Sequence, residues 1–462
     1  MFSPEIYQKR RDELKKKMET GVLFFPGNNE TPMNYPANPY HFRQDSSFLY
    51  YFGIDEPGLT GVIDVDNDEE IIFGDDVAIE DIIWTGPLPK LTDKAARFNI
   101  SDTRPSSALG KAFEEYLNRG REIMYLPQYR QDITNMVGDL TDTDYSRVNS
   151  SSSVKLARAV ISQRSIKSDE EVGEIEKALE ISYDMNRTAM KLVRDGVYEY
   201  EVCGKVQAAV LARNSHLSFP IIFSIHGETL HNHSHNNMMS DGDILIMDSG
   251  AESPLHYASD ITRTIPVSGE FNERQKYIYQ TVLQSQLDAI EMMKPGVMNL
   301  ECHLKAAHTI ASGLTRIGLM KGDPEEAVRA GAHALFFPHG LGHMMGLDVH
   351  DMEGLGEDLV GYDEKISRSD QFGLAALRLA RELEPGFVIT VEPGIYFIPE
   401  LIDRWKEEDR FAEFINYDKV EKYRNFGGIR IEDDVLITES GHRVLGKPIA
   451  KEVDEVQDWC TE

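Results

Sequence analysis

The stretch DILIMDSGAESPLHYASDITRTIPV, residues 243–267, decides the fold of this chain. It contains two apolar runs, and each run has an aspartate at one end: Asp248 follows the first run and Asp260 precedes the second. The eleven residues between the two aspartates are enough for a hairpin loop, so the pattern predicts adjacent strands with the carboxylates facing each other. An ionised carboxylate inside such an apolar strand is costly to bury unless a positive group pairs with it.

Three further candidate metal ligands follow this hairpin along the chain. They are His343 in PHGLGHMMGL, Glu392 in FVITVEPGIYF and Glu432 in GIRIEDDVLIT, and each lies in or beside an apolar run. An arginine could neutralise one buried carboxylate, but four carboxylates and a histidine are better explained by a pair of divalent metal ions. The charges agree with this interpretation, because the four negative charges equal the positive charge of two divalent cations.

The composition of the ligand set indicates a catalytic metal centre. Oxygen ligands with one imidazole suit Mn²⁺, Co²⁺, Fe²⁺ or Zn²⁺ in a catalytic role better than a structural zinc ion, which prefers cysteine. Two metals that share a water lower its pKa towards neutrality and so produce a nucleophile. A carboxylate at the edge of the metals can pass a proton to a leaving nitrogen. The residues alone therefore predict a two-metal hydrolase of an amide or ester, and they leave the substrate open.

Histidine and arginine side chains accompany the ligands. The segment FPHGLGHMMGLDVHD carries His339, His343 and His350 within twelve positions, together with glycines that allow close approach of the backbone. Arg430 lies two positions before Glu432, so we expect it on the same strand face, where it would orient the ligating carboxylates. The alternative is an ordinary surface pair of arginine and glutamate. We expect Glu392 in the middle of a strand that ends at the following proline.

Composition limits the partners and the location of the protein. The 462 residues contain 48 Lys+Arg and 78 Asp+Glu, a net charge of −30, which argues against nucleic acid and anionic membranes as partners. The three cysteines, Cys203, Cys302 and Cys460, match no zinc or redox spacing, and we interpret them as reduced thiols. No apolar run is long enough to span a bilayer and the N-terminal segment lacks the apolar region of a signal peptide, so we expect a cytoplasmic protein.

The hydrophobic pattern predicts two domains. Ser3 and Pro4 indicate the start of a helix that runs to about Met18, and short β-rich runs follow it in an α/β unit of about 150 residues. Ser168 and Glu171 form a capping box that opens a second helix, for which Gly196 is a natural stop. We place the domain boundary near residue 165 and expect an α+β domain beyond it that holds all five ligands.

Taken together, the motifs resemble those of the pita-bread metallopeptidases, specifically the proline-selective branch that contains prolidase and aminopeptidase P. MDSG…SDITRT, PHGLGHMMGLDVHD, TVEPGIYF and FGGIRIEDDV match the ligand motifs of this branch, and FRQDSSFLYYFGI with GVIDVD resembles its N-terminal domain. The resemblance covers nearly the whole chain. It implies an α+β protein with a creatinase-like α/β domain over residues 1–165 and a catalytic domain with the pita-bread (creatinase/aminopeptidase) fold over residues 166–462.

The resemblance also implies roles for individual residues. Two metals, with Mn²⁺ expected first and Co²⁺, Zn²⁺ or Fe²⁺ as alternatives, would be held by Asp248, Asp260, His343, Glu392 and Glu432. Glu392 would also move a proton. His231, in GETLHN, and His350 would bind substrate or stabilise the tetrahedral intermediate, His339 would help to bind substrate, and Arg430 would support catalysis. His233 and His235 lie so near His231 that the register of this motif is the least secure part of the comparison.

The implied reaction is hydrolysis of the Xaa-Pro bond in dipeptides or short peptides, by a homodimer. Arg378 matches the prolidase arginine that is thought to hold the carboxylate of a dipeptide, a task that suits a guanidinium fork. This match favours a dipeptidase, and the alternative is an aminopeptidase P that accepts longer peptides. For Arg378 itself, the simpler interpretation is a residue on a surface helix. A binding protein that has lost the metals and a metal-free hydrolase of the creatinase type are more remote alternatives, because all five ligand types are present.

Overall fold

The computed structural model describes residues 1–461, which form two compact units. One unit comprises Met1–Arg164 and the short segment Met352–Leu359, and the other comprises Ser165–Asp351 and the chain from Val360 onwards. No helix in the described part of the chain is long and apolar enough to cross a bilayer.

The first unit is built around a five-stranded mixed sheet. Its helices and strands run in the order α1 (Pro4–Met18), β1 (Val22–Pro26), α2 (Ser46–Phe52), β2 (Thr60–Asp64), β3 (Glu69–Phe73), α3 (Ile79–Thr85), α4 (Leu91–Ala96), β4 (Asp102–Arg104), α5 (Leu109–Asn118), β5 (Ile123–Tyr125), α6 (Gln131–Thr141) and α7 (Val154–Arg164). The sheet order is β4-β3-β2-β1-β5, with β1 antiparallel to β2 and parallel to β5. Helix α1 has the predicted bounds.

Strands β1 and β2 of the first unit are buried along their whole length. Phe24 and Val62 face each other in the β1–β2 pair, and both lie in a buried apolar cluster with Phe113 of α5 and Val137 of α6. The two helices thus cover one face of the sheet, and Leu23 and Ile63 on the other face are buried as well, which accounts for the apolar runs in the sequence.

The second unit combines long helices with three small antiparallel sheets. Its elements are α8 (Asp169–Leu192), α9 (Glu199–Leu211), β6 (Ile222–Ser224), β7 (Ile244–Ser249), β8 (Ile261–Pro266), α10 (Glu273–Met292), α11 (Asn299–Arg316), α12 (Pro324–Ala330), α13 (Glu357–Gly361), β9 (Val388–Val391), β10 (Gly394–Tyr396), α14 (Pro399–Glu407), α15 (Tyr417–Val420), β11 (Gly428–Arg430), β12 (Asp433–Ile437), β13 (His442–Val444) and α16 (Val453–Thr461). The sheets have the orders β6-β7-β8, β13-β12-β9 and β10-β11. Helix α13 includes the point at which the chain returns to this unit.

The capping box predicted for α8 is present, but the predicted end of this helix is wrong. The Ser168 hydroxyl accepts from the Glu171 amide, and the Glu171 carboxylate accepts from the Ser168 amide. The helix ends at Leu192 because Val193 is extended, with ψ of 118°. Gly196 instead forms the turn that follows, with φ of +77°, and its amide donates to Met239.

Candidate metal centre

One cavity in the second unit collects the predicted site residues. Its volume is about 410 Å³. All ten predicted residues line it: Asp248, Asp260, His343, Glu392, Glu432, His231, His339, His350, Arg378 and Arg430. These residues come from positions as far apart as 231 and 432, so the chain brings them together only through the tertiary fold.

The first two carboxylates are placed by the predicted hairpin. Strands β7 and β8 pair antiparallel with Asp248 opposite Thr262, and Asp260 directly precedes β8. Ile222 of β6 pairs with Asp248 from the other side, so this aspartate lies in the central strand of the sheet. The hairpin therefore carries both carboxylates to the same end of the sheet, as the sequence predicts.

The two glutamates lie at breaks between strands. Glu392 follows β9 and precedes β10, so the prediction that it lies in mid-strand is wrong; Pro393 has no N–H to continue the pairing. Glu432 lies between β11 and β12 in the same way. A break turns the chain from one sheet into the next, and it lets each glutamate reach the cavity instead of pointing along a sheet face.

His343 lies on a glycine-rich segment that packs against β9. Its amide donates to the Thr390 hydroxyl at 3.0 Å, and a Cβ on Gly342 would lie only 2.0 Å from the Thr390 carbonyl oxygen. Its Nδ1 lies 3.1 Å from the Met344 carbonyl, which can only accept, so Nδ1 carries the proton. Nε2 therefore presents a lone pair to Asp260 Oδ2 and Glu392 Oε1, both at 3.6 Å. A cation bound among these three atoms would satisfy the lone pairs that face each other.

The other carboxylate oxygens also fit a metal. Ligand atoms of Asp260, His343 and Glu432 all lie within 4.8 Å of one another, and all three residues are buried. Within residues 1–461, Oδ1 of Asp248, Oδ1 of Asp260 and Oε1 of Glu432 are buried without a hydrogen-bond partner. Buried oxygens of this kind are rare in proteins unless water or an ion satisfies them. The residues present therefore match the oxygen-rich donor set of a divalent metal centre.

Burial and mutual repulsion hold protons on these carboxyls in the metal-free protein. Burial raises the pKa of Asp260 well above its usual range, and the neighbouring Glu432 and Asp248 add to this effect. Burial likewise raises the pKa of Glu432 well above its usual range, and the charges of Glu392 and Asp248 add to it. For Glu392, burial raises the pKa to about 8, while the charge of Arg430 opposes the increase. A metal that binds here must displace these protons.

Arg430 is the positive group that the carboxylates share. It is 3% exposed, and its guanidinium donates to Asp248 Oδ2 at 2.7 Å, to the Thr262 hydroxyl at 3.1 Å and to the Tyr396 hydroxyl at 3.0 Å. The Thr262 hydroxyl in turn donates to Glu432 Oε2 at 2.6 Å. Arg430 thus orients Asp248 directly and Glu432 through Thr262, an arrangement that a surface ion pair would not have.

Thr262 and Tyr396 are site residues that sequence reasoning missed. Thr262 lies two positions after Asp260, so the period of two along β8 could have placed it on the side of the ligands. No such signal identifies Tyr396. Its hydroxyl lies 2.9 Å from His339 Nε2, while His339 Nδ1 lies 2.8 Å from the Gly340 carbonyl. His339 therefore carries its proton on Nδ1 and accepts from Tyr396, which accepts from Arg430 in turn.

His350 and Arg378 form a second polar group in the cavity. The His350 ring lies 4.2 Å from the ring of His343, centroid to centroid, and Arg378 Nη1 lies 3.0 Å from His350 Nδ1. Because a guanidinium can only donate, His350 accepts at Nδ1 and holds its proton on Nε2. Arg378 is half-buried and lies after a short helical turn, Leu374–Ala376. The alternative interpretation of Arg378 as an exposed residue of a surface helix is therefore wrong.

The structure separates the three histidines of the HNHSH segment. His231 and His233 line the cavity, whereas His235 does not, and its Nε2 lies 3.1 Å from the Ile221 carbonyl. Loss of solvation and the charge of Arg430 lower the pKa of His231, so its ring is neutral at physiological pH. The predicted residue thus reaches the cavity, and His233 lines it as well.

Comparisons with known proteins show what the chain is similar to. The model of metallopeptidase family M24 matches residues 173–439, and that of the aminopeptidase P N-terminal domain matches residues 7–125. The Xaa-Pro dipeptidase of Rattus norvegicus is 33% identical over 424 residues, which cover 90% of this chain and 84% of the rat protein. The probable Xaa-Pro aminopeptidase of Metarhizium robertsii is 31% identical over 467 residues, which cover 96% of this chain and 90% of the fungal protein.

A solved structure extends the likeness to the whole fold. A variant of Escherichia coli aminopeptidase P in complex with substrate has a TM-score of 0.82 and 27% identity, and the match covers 100% of this chain and 98% of that one. This confirms the predicted α+β architecture with its α/β N-terminal domain. The family model spans more than half of the chain and the ligand motifs lie within it, so the chain belongs to metallopeptidase family M24, the pita-bread family that its sequence resembles.

Proposed function

We propose that this metallopeptidase hydrolyses the Xaa-Pro bond, with Xaa-Pro dipeptides as its preferred substrates. The observation that carries the proposal is the Arg378–His350 pair in the same cavity as the carboxylate cluster. A dipeptide has its C-terminal carboxylate one residue from the bond that is cut, and a guanidinium fork can bind that group with two hydrogen bonds. The relatives support the reaction, since the rat protein is an Xaa-Pro dipeptidase.

A proline-specific site has a physical reason. The bond to a proline nitrogen is a tertiary amide without an N–H, so a peptidase that recognises this N–H cannot hold it well. Apolar residues also line the cavity and offer a surface for the ring instead: Phe219, Pro220, Ile222, Leu230, Val349 and Ala376. Ring packing and carboxylate binding together would hold the substrate in one orientation.

For the metal centre we propose two divalent ions, with Mn²⁺ preferred over Co²⁺, Zn²⁺ and Fe²⁺. Asp248, Asp260, His343, Glu392 and Glu432 would hold them, and four carboxylates with one imidazole suit such ions. When bound, divalent metals polarise a carbonyl and make water a better nucleophile at neutral pH. An assay of bound metal after dialysis separates this proposal from a metal-free binding protein.

The chain's own residues would supply the remaining steps. Glu392 keeps 19% of its side chain accessible, so Oε1 or Oε2 can take a proton within the cavity and deliver it to the proline nitrogen. Neutral His231 can donate a hydrogen bond to the substrate carbonyl oxygen. Nε2–H of His350 would be the donor on this ring that the substrate meets, because Arg378 donates to the other ring nitrogen, Nδ1. Tyr396 and Arg430 would hold His339 in its tautomer at the wall of the site.

Release of free amino acid from Gly-Pro, Ala-Pro and Ala-Pro-Gly, with added Mn²⁺, tests the proposal. Cleavage of both dipeptides with the tripeptide spared supports a dipeptidase. Equal or better cleavage of the tripeptide supports the alternative, an aminopeptidase P, which the Metarhizium relative and the Escherichia coli structure favour. Arg378→Ala should weaken dipeptide cleavage far more than tripeptide cleavage, whereas Arg329→Ala, at an exposed position outside the cavity, should change neither.

We also propose the chain's organisation: residues 1–165 form the N-terminal domain, residues 166–462 form the catalytic domain, and the protein is a cytoplasmic homodimer that binds neither nucleic acid nor membranes. Support for self-association comes from α3, where Ile79, Ile83 and Trp84 are at least 75% exposed, since apolar side chains exposed together mark interaction surfaces. Sedimentation of the wild type and of Trp84→Asp tests the dimer, which the charged side chain should weaken if α3 lies in the interface.

A further inference from the structure

A single irregular segment carries His231 and His233 to the cavity. It comprises residues 225–237, lies between β6 and residue Met238, and is called the His231 loop below. It contains no helix or strand that could hold the two rings in place. The position of His231 must therefore depend on how the rest of the protein holds the loop.

Both ends of the His231 loop are bound to one buried carboxylate. Glu199, the first residue of α9, is completely buried. Its Oε1 accepts from the Ile225 amide at 2.8 Å, and its Oε2 accepts from the Asn237 amide at 3.2 Å. The Asn237 side-chain amide donates to both oxygens, at 3.2 and 3.0 Å. One side chain thus joins the first residue of the loop to the last.

Backbone contacts extend the attachment at the C-terminal end of the loop. The amides of Glu199 and Tyr200, in the first turn of α9, donate to the carbonyls of Asn237 and His235 at 3.0 Å each. The first amides of a helix have no acceptor within the helix. The loop carbonyls therefore supply acceptors for α9, and the same hydrogen bonds hold the loop in place. The negative charge of Glu199 is also favourable at this helix end.

The middle of the loop has weaker support. The Asn232 side chain and the His226 amide both donate to the Ser224 hydroxyl at 3.0 Å, and Gly227 passes so close to Gly428 that a Cβ would lie 2.9 Å from its carbonyl oxygen. These contacts fix the start of the loop against β6 and β11. The C-terminal end of the loop is held by the Tyr200 amide and by the His235 ring at the Ile221 carbonyl, and the Glu199 carboxylate joins that end to Ile225.

We propose that Glu199 is a positioning residue for the reaction: by closing the His231 loop it holds the His231 ring at the substrate. This inference rests on the proposed function for the role of His231. The four hydrogen bonds described for the carboxylate all come from N–H donors of the loop ends, so the acceptor-only character of an ionised carboxylate suits them. A glutamine of the same shape keeps one acceptor oxygen but puts an NH₂ group in place of the other, so one end of the loop would meet a donor and the closure would weaken.

The matched pair of variants is Glu199→Gln and Glu201→Gln, in metal-loaded enzyme. Both residues are acidic and lie in the first turn of α9, but Glu201 is exposed and accepts only from the Tyr198 amide among the loop and cap groups described. Glu199→Gln should lower kcat/KM by about 10- to 100-fold, since a displacement of about 1 Å in a positioned group has such effects. Bound metal should be unchanged, and Glu201→Gln should behave as wild type.

A double-mutant cycle distinguishes positioning of His231 from a general weakening of the fold. In a His231→Ala background Glu199→Gln should have little further effect, whereas in an Arg378→Ala background its full effect should remain. The inference is overturned if Glu199→Gln is as damaging without His231 as with it. Should Glu199→Gln fail to fold, Asn237→Ala removes the side-chain half of the closure and carries the same cycle.

Hydrogen exchange measures the closure without reference to substrate. Amides 226–236 should exchange faster in Glu199→Gln than in wild type or Glu201→Gln, while the strands β7 and β8 keep their protection. Unchanged exchange would overturn the inference whatever the activity shows. If wild type cleaves no Xaa-Pro peptide but exchange in this loop still depends on Glu199, the proposed function fails and the closure stands.

Discussion

Metal binding at this site should release protons, and the number released should depend on pH. In the metal-free protein Glu392 has a pKa of about 8, against an ordinary value of 4.5, because the cavity buries it. At pH 7 a group with this pKa is about nine-tenths protonated. The pKa values of Asp260 and Glu432 are also raised. A divalent metal that binds at pH 7 must therefore displace about one proton from Glu392 alone, and more from its neighbours.

The same pKa values predict how the stability of the metal-free protein depends on pH. Between about pH 4.5 and pH 8 the folded protein keeps a proton on Glu392 that the unfolded chain has lost, so stability falls as pH rises through this window. At about 1.4 kcal/mol per pH unit, the loss across the window is about 5 kcal/mol for Glu392. Asp433 does not contribute here, because Arg263 and Lys451 lower its pKa in spite of its burial.

Calorimetry tests both the release of protons on metal binding and the pH dependence of the stability of the metal-free protein. Titration of Mn²⁺ at pH 7 in buffers of different ionisation enthalpy counts the protons, and melting of dialysed and metal-loaded protein between pH 5.5 and 8 measures stability. We expect a binding heat that depends on the buffer and a gap in Tm that widens as pH rises. Glu392→Gln should release about one proton fewer. A binding heat independent of the buffer, together with a constant Tm gap, would refute the reasoning.

Three further predictions concern single side chains. Lys167 and Asp351 form an ion pair with a 2.9 Å contact, and each side chain is 1% exposed, so Lys167→Met should lower the free energy of unfolding in urea by about 3–5 kcal/mol. Lys365→Met breaks an exposed ion pair of 2.7 Å and should lower it by about 1 kcal/mol or less. Equal losses in the two variants would show that burial does not matter here. Glu392→Gln should keep the fold by circular dichroism and lower kcat by about 10²–10⁴-fold, and an unchanged rate would remove Glu392 from the chemistry. Arg430→Lys keeps the charge but loses the fork that holds three groups, so we expect metal affinity or kcat/KM to fall about 10- to 100-fold, and wild-type values would contradict its orienting role.

Local sequence patterns were sufficient wherever neighbours along the chain decide the outcome. The capping box of Ser168 and Glu171 is a contact over three residues, and the β7–β8 hairpin needs only two apolar runs and a loop between them. The four carboxylates proposed as ligands could be predicted because a carboxylate in an apolar run needs a compensating charge wherever it occurs, and His343 because its segment is rich in glycine and histidine. The end of α8 was predicted wrongly because Gly196 serves the turn after the helix, where its amide meets Met239 from a distant segment.

What the sequence by itself determined is therefore which side chains are available to the site, among them four carboxylates and a histidine that suit a divalent metal centre. The tertiary structure alone decided their geometry. It placed Glu392 and Glu432 at breaks between strands, joined Arg430 to Asp248 across 182 residues, and set Glu199 at both ends of the His231 loop. The physical reason is that hydrogen bonds and ion pairs act over about 3–4 Å in space, whatever the separation along the chain, so only the fold determines which of these groups meet.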